Sequence, residues 1–362
     1  MKRFKIVSII GVVKKRIVKL ADVAKAAKVS QGTASNVFNR PELVRPEVRE
    51  RVEASARRLA YSGPDPKGRL LRGGKVNAIG IVMADDTAYF FRDPFARMLL
   101  SGIAEVCDER GAGVALVSTN RQKDAAWRIQ TAVVDGFIVH CLRVGDRLIS
   151  LARKRHLPVV AIDLDGGTGM SSVVIDDRQG AYLAARHLLD LGHRKIGLLS
   201  LEAADPPRPG FVDAERLRSA EYRTERERAA GYSAALAEHG IELDQLTIME
   251  SLNERQAGAS HARELLAARP ETTAIIAMSD VLALAAIDAA RARGLRVPQD
   301  LSVVGFDDIP DAATADPPLT TVAQPIVEKG RIAARLIFEA GPPRTETLGV
   351  KLVERASTAR PR

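Results

Sequence analysis

The sequence predicts an α/β protein in unequal parts: an all-helical N-terminal segment with helix-turn-helix spacing, then two lobes built on parallel sheets. Three observations carry this. Residues 18–62 repeat apolar positions at intervals of three and four, the period of packed helices. From Val76 onward, short apolar runs alternate with helical patterns, which is how parallel strands covered on both faces read. Between them, "GPDPKGRLLRGGK" (63–75) holds two prolines and four glycines and cannot form a stable isolated helix.

The first helix runs from Leu20 to Ala27, with Leu20, Val23, Ala24 and Ala27 on one stripe. A tight turn at Lys28-Val29-Ser30 leads to a second, from about Gln31 to Phe38. Ser30 suits its N-cap, because the hydroxyl can accept from an unpaired N–H of the first turn. The third helix starts near Pro46, a good first helical residue, and turns Val48, Val52, Ser55, Ala56 and Leu59 inward. In the body, "NAIGIVMA", "GVALVS", "GFIVH", "LPVVAID", "SVVIDD", "RKIGLLS", "TAIIAMS" and "LSVVGFDD" read as buried strands separated by helices. About ten strands are expected over this stretch, enough for two lobes rather than one.

Composition narrows the function. The 362 residues suit two or three domains, and 46% are hydrophobic, so a sizeable core can form. The two cysteines, Cys107 and Cys141, are too few for a disulfide framework or a cysteine zinc site and suit a reducing compartment. Six histidines are scattered without metal-ligand spacing. Neither a G-x-S-x-G elbow nor a phosphate-binding G-x-x-x-x-G-K-[ST] loop occurs. No enzyme, metal or cofactor is therefore expected. No run approaches the roughly 18 apolar residues of a membrane span. The opening "MKRFKIVSIIGVVKK" has an apolar run, Ile6 to Val13, but Lys14-Lys15-Arg16 stands where a cleavage site should lie. Residues 1–17 are read as a basic arm, or as the product of an upstream start, and the protein as cytoplasmic.

Charge is unevenly spread. Residues 1–75 carry 19 basic and 6 acidic side chains of the 54 and 45 in the whole chain. The body is left with 35 basic and 39 acidic residues. A strongly basic fifth on a slightly acidic body points to a polyanion-binding module joined to a part with another task.

The second helix sharpens this. Ala34, Val37 and Phe38 must face its neighbours, which leaves Gln31, Gly32, Ser35 and Asn36 outside. A merely solvated face would carry longer charged groups. Short amides and a hydroxyl suit a helix laid in a DNA major groove, where Gln and Asn pair with adenine N6 and N7. Gly32 permits close approach, at about 1 kcal/mol of helix propensity relative to Ala.

The stretch "LADVAKAAKVSQGTASNVFNRPELVRPEVRERVEASARRLAY" resembles the headpiece of the lactose/galactose repressor (LacI/GalR) family. Its Asp22, Val23, Ala24, Ala27, Val29, Ser30, Thr33, Ser35, Val37 and Asn39 match the family pattern. The resemblance makes Gln31 and Gly32 base-reading positions, with Ser30, Thr33, Ser35 and Asn39 at phosphates. Asn36 stands where members often carry Arg, which implies an operator that departs from the usual guanine there. The linker then corresponds to the family's hinge, with Leu71 (or else Leu70) as the minor-groove wedge and Arg69 and Arg72 as flanking phosphate contacts. Gly68 replaces a usual Ala, and one extra residue precedes Pro64.

"TAIIAMSDVLALAAIDAARARGLRVPQDLSVVGFDDIPDAATADPPLTTVAQP" and "HLLDLGHRKIGLLS" extend the resemblance over about residues 18–358. It implies a body like the periplasmic sugar-binding proteins, two lobes joined by three crossovers with a small ligand between them. Lobe 1 is expected at about 76–174 and 325–342, lobe 2 at about 175–324 and 343–362. In open parallel sheets, ligands bind beyond the carboxyl ends of strands, where Asp163, Ser279-Asp280 and Asp307-Asp308 fall. The resemblance assigns ligand contact to Asp163, Arg228, Ser279, Asp307 and Gln324, with Phe91, Asp93 and Phe95 from the loop "YFFRDPF". Asp280 reads as an N-cap, Asp308 equally as a cap or turn former, Asp176 as a helix cap and His193 as structural. Ser279 stands where members often have Asn. The segment 201–227 is longer than expected and is read as folding over the cleft.

These readings converge on a DNA-binding transcriptional regulator, a repressor by default. It is expected to act as a homodimer on a near-palindromic operator, without a tetramer-building tail, and to respond to a small molecule, a sugar by default. The rival is a periplasmic solute-binding protein, which would share the body but need a cleavable signal and no basic headpiece. A nucleoid-type DNA binder with a vestigial cleft is a third reading.

Overall fold

The structure, a computed structural model, describes residues 18–61, 63, 75–83, 86–119, 125–140, 142, 147–164, 169–339 and 341–362. It forms two compact units divided after Val76.

The first unit holds helices α1 (Leu20–Ala26), α2 (Gln31–Asn39) and α3 (Pro46–Arg58). The Asp22 carboxylate accepts the Lys19 N–H at 2.9 Å and starts α1. Lys28 takes a left-handed φ of 54°, which turns the chain sharply between α1 and α2. Leu20, Val23, Ala24, Ala27, Ala34, Val37, Val52 and Ala56 are buried together, with Val48 and Leu59 partly buried against them. Phe38 meets Tyr61 edge to face at 5.6 Å. Arg51 Nε donates to Ala27 O at 3.0 Å, satisfying an end carbonyl of α1.

The second unit contains two sheets. The first is all parallel, in the order β12 (Thr345–Leu348), β5 (Ser171–Ile175), β4 (Val159–Ile162), β3 (Gly136–His140), β1 (Ala78–Met83), β2 (Gly113–Ser118). The second has the order β13 (Lys351–Val353), β11 (Thr320–Ala323), β10 (Ser302–Asp307), β9 (Ala274–Ala277), β6 (Ile196–Ser200), β8 (Thr247–Glu250), β7 (Gly210–Val212), with both edge strands antiparallel. Strand side chains point alternately to two faces. Ile79, Ile81 and Met83 pack with the helices Pro94–Glu109 and Ile326–Phe338, whereas Val82 joins Phe137, Val139 and Ile149 on the other face.

The chain passes between the sheets three times: from β5 into the helix Asp177–Asp190, from β11 through Gln324-Pro325 into the helix Ile326–Phe338, and from β12 to β13. The third passage corrects the expected lobe boundary. Residues 345–348 pair in register with β5, so the return to the second lobe follows Leu348 rather than Pro342. The half-exposed "TETLGVKLV" hides this, because an edge strand lacks the apolar run of a central one.

The long segment 201–227 builds part of the second sheet. Gly210–Val212 add an edge strand beside β8. Arg216 grips the buried Glu250 with Nε at 2.6 Å and Nη2 at 2.9 Å, and the Arg208 N–H reaches it at 2.7 Å. These contacts extend the second sheet sideways and fasten the segment to Glu250, the last residue of β8.

Candidate DNA-reading face and effector cleft

On α2, packing and capping sort the predicted residues. Ala34 and Val37 are buried; Gln31, Gly32, Asn36 and Asn39 are exposed, and Ser35 is half-exposed. Ser30 is the N-cap: its Oγ accepts the Thr33 N–H at 3.0 Å and lies 2.8 Å from Thr33 Oγ1. Asn39 Nδ2 donates to Ser35 O at 3.0 Å and to Ser35 Oγ at 3.1 Å. Ser30 and Thr33 therefore hold each other, as do Ser35 and Asn39. Gln31 and Asn36 show no side-chain hydrogen bond among the described residues, so both amides point outward with donor and acceptor available. A Cβ on Gly32 would meet only Ser30 Oγ, at 3.7 Å; neither sterics nor φ requires glycine in the isolated fold. Arg69, Leu71 and Arg72, with residues 1–17, lie outside the described residues.

The strand ends of the body meet in a buried polar cluster drawn from both lobes. Asp163 follows β4 with φ 57°, and Asp307 ends β10 with φ 120°. Both are left-handed conformations uncommon for a residue with a side chain, and such strain persists only where surroundings over-determine it. The surroundings here are ionic. Lys329, on the helix Ile326–Phe338, donates to Asp163 Oδ1 at 2.8 Å, to Asp163 Oδ2 at 3.0 Å and to Gln324 Oε1 at 2.7 Å. Gln324 Nε2 donates in turn to Asp307 Oδ1 at 2.7 Å. Arg228 Nε donates to Asp177 Oδ1 at 3.0 Å, and Nη1 to the Met278 carbonyl. Its guanidinium lies 3.6 Å over the Phe306 ring and its Nη2 sits 3.9 Å from Asp307 Oδ1. His140 Nε2 is 3.3 Å from Asp163 Oδ2, and its ring stacks on Phe95 at 5.4 Å.

A second polar chain joins the lobes. Asp93 caps the helix Pro94–Glu109 by accepting the Ala96 N–H at 2.8 Å. Its other oxygen takes Asn253 Nδ2 at 3.4 Å, and Ser279 Oγ donates to Asn253 Oδ1 at 2.7 Å.

Burial divides the carboxylates by what stands beside them. At Asp163 burial favours the neutral acid, but Lys329 and His140 outweigh it and hold the group below the usual carboxylate range. At Asp307 burial wins and the carboxyl rises to about 7, only partly offset by Arg228 and Gln324. Asp307 thus sits at the boundary between accepting and donating near neutral pH.

Of the predicted ligand residues, Asp163, Arg228, Asp307 and Gln324 converge directly, and Asp93, Phe95 and Ser279 join through Asn253 and His140. Phe91 does not: its side chain is exposed and shares no ring contact or hydrogen bond with the cluster, while Phe90 is buried in the first-lobe core. Among the capping residues, Ser279 rather than Asp280 caps the helix Asp280–Ala292, accepting the Leu282 N–H at 3.2 Å. Asp280 instead accepts from Thr321 Oγ1 and the Ile309 N–H. Asp176 caps the helix Asp177–Asp190, Asp308 pairs with Arg355 at 2.7 Å, and His193 is buried against Thr273, Ser302 and Ala359 O. Sequence reasoning missed Lys329, His140, Asn253 and Asp177. Lys329 carried a signal: it shares the apolar stripe of Ile326 and Ala333, where a lysine has to find a buried partner. Asn253 carried none. A groove of about 330 Å³ beside Pro158, Met170 and Arg344 lies at the opposite, amino-terminal end of β4 from Asp163.

Comparison with known proteins agrees with both units. The model for "Bacterial regulatory proteins, lacI family" matches residues 19–63, and that for a "Periplasmic binding protein-like domain" matches residues 185–358. The HTH-type transcriptional regulator Rv3575c of Mycobacterium tuberculosis is 42% identical over 350 residues, 94% of this chain and 97% of the relative. Among solved structures, the lac repressor dimer bound to operator and the anti-inducer ONPF superposes with a TM-score of 0.78 at 26% identity, covering 94% of this chain and 99% of that one. The CelR–cellobiose complex does so with a TM-score of 0.67 at 29% identity, covering 94% and 99%. Relatives that align across headpiece and body alike are named as regulators, which sets aside the solute-binding reading and enzymatic activity. The chain belongs to the LacI family of DNA-binding transcriptional regulators.

Proposed function

We propose that this regulator is a cytoplasmic repressor that acts as a homodimer on a near-palindromic operator and changes its DNA affinity when a small effector, a sugar, enters the cleft. Gln31, Gly32 and Asn36 read bases; Ser30, Thr33, Ser35 and Asn39 orient the helix at phosphates; Leu71 wedges into the minor groove between Arg69 and Arg72. The effector contacts Asp307, Arg228 and Gln324, with Asp93, Phe95 and Ser279 around it. Residues 18–62 form the DNA-binding domain, 63–75 the hinge and 76–362 the effector-binding and dimerisation domain.

One observation carries this reading. The outward amides of Gln31 and Asn36 stand on one unit, and a polar cluster drawn from two lobes stands on the other. Polar groups bond from lobe to lobe, Lys329 to Gln324 and Asn253 to Asp93. A ligand that competes for those bonds binds one lobe arrangement better than another, which is the requirement for shifting a conformational equilibrium. Cellobiose and ribose in solved relatives support a sugar. Binding-site selection followed by salt titration tests the DNA half: a recovered two-fold site whose affinity falls steeply with salt is expected. Repeating the titration with sugars tests coupling; an operator affinity that no sugar alters would sink the effector reading.

A further inference from the structure

We infer that Lys329 is a specificity-determining residue of the effector cleft. It fills the cation-accepting side of Asp163 with the protein's own ammonium, so that the cleft selects an uncharged, hydroxyl-rich effector over an amine-bearing or acidic one. The inference rests on the effector reading above and deepens it.

The hydrogen-bond accounting leads there. An ammonium has three donors and no acceptor. All three of Lys329 are spent, two on Asp163 and one on Gln324. The residue is fully buried, and its side chain lies 5.4 Å from the Phe95 ring centroid. Asp163 is thereby withdrawn as a partner for a positively charged ligand, because an amine would have to evict a buried, fully bonded lysine. The loss of one member of a buried pair leaves an uncompensated charge. Acids fare no better. Asp177 is held by Arg223 and Arg228, Asp307 takes Gln324 and Asp93 takes Asn253, so an amine meets carboxylates already bonded, and an anion meets four carboxylates together. What stays open is Arg228 Nη2, 3.9 Å from an Asp307 oxygen and making no short bond among the described residues. A donor beside an acceptor at that spacing matches neighbouring hydroxyls, each of which gives and takes a hydrogen bond.

The test uses full-length protein and a matched set of probes: D-ribose, D-glucose and cellobiose, with D-glucosamine and D-gluconate as charged counterparts. Affinities are read from thermal shift and calorimetry. The wild type should bind a neutral sugar at least tenfold tighter than either charged counterpart. Lys329→Ala should raise the glucosamine-to-glucose affinity ratio at least tenfold, and Asp163→Asn in the same chain should abolish that gain. n-Propylammonium, which reproduces the atoms removed, should raise the Tm of K329A but not of the wild type. Should K329A not fold, Lys329→Gln carries the same ratio measurement. A ratio unmoved by either variant makes Lys329 a structural lysine and overturns the inference, as does a wild type that binds glucosamine or gluconate as tightly as glucose. If no probe shifts the wild type at all, the effector reading itself falls, and this inference with it.

Discussion

Replacing Gly32 by Ala separates what the headpiece needs to fold from what it needs to read DNA. The residue lies in the first turn of α2 and is exposed. An added Cβ would touch only Ser30 Oγ at 3.7 Å, an ordinary contact, and φ is not in the left-handed range. The folded state therefore absorbs the methyl without strain, and the unfolded chain loses freedom. Helix propensity then favours Ala by up to about 1 kcal/mol. The same methyl would stand on the face shared by Gln31 and Asn36. If that face lies against base edges, the methyl pushes the amides outward and weakens binding by about 1–3 kcal/mol, the worth of one good base contact. Stability and affinity should thus move in opposite directions. Denaturant titration of the headpiece transition reads the first. Fluorescence anisotropy on the selected operator at several salt concentrations reads the second, and its salt slope should hold because the phosphate contacts remain. A G32A protein that is more stable and binds operator as tightly as the parent would show that Gly32 does not face DNA.

Three further expectations follow from other parts of the molecule. Asn36→Arg should shift the base recovered opposite position 36 from adenine to guanine in binding-site selection, since Arg pairs with guanine O6 and N7; an unchanged site would place Asn36 outside base contact. Burial pushes the Glu225 carboxyl up to about 8 from 4.5, and its Oε2 has no hydrogen-bond partner among the described residues. The folded chain therefore keeps a proton that the unfolded chain releases. This contribution is fully present below about pH 4.5 and is lost as pH rises toward 8, on the order of 3 kcal/mol by pH 7. Glu225→Gln should flatten that part of the stability–pH profile measured by urea denaturation, and parallel profiles would refute it. Gly102→Ala would drive a Cβ into the Val327 carbonyl where the helices Pro94–Glu109 and Ile326–Phe338 cross. A loss of about 1–3 kcal/mol from the body transition is expected, and a thermal midpoint within a degree of the parent would contradict this packing.

What the amino-acid sequence determined by itself was local and periodic. The apolar stripe Leu20, Val23, Ala24, Ala27 and the cap Ser30 specify the helix-turn-helix, because side-chain spacing and one capping bond act within a few residues. Runs such as "SVVGFDD" specify buried strands and put carboxylates at their ends for the same reason. Tertiary structure decided matters that depend on partners far apart in the chain. Residues 345–348 pair with β5 more than 170 positions earlier, a choice of edge that no local pattern records. The bonds of Ser35 to Asn39 left Gln31 and Asn36 as the outward amides. Lys329 reaches Asp163 across 166 residues, and only that meeting set a buried ammonium against an expected ligand contact. A buried charge is stable only with its partner in place, and which partner it meets is settled when the lobes fold together.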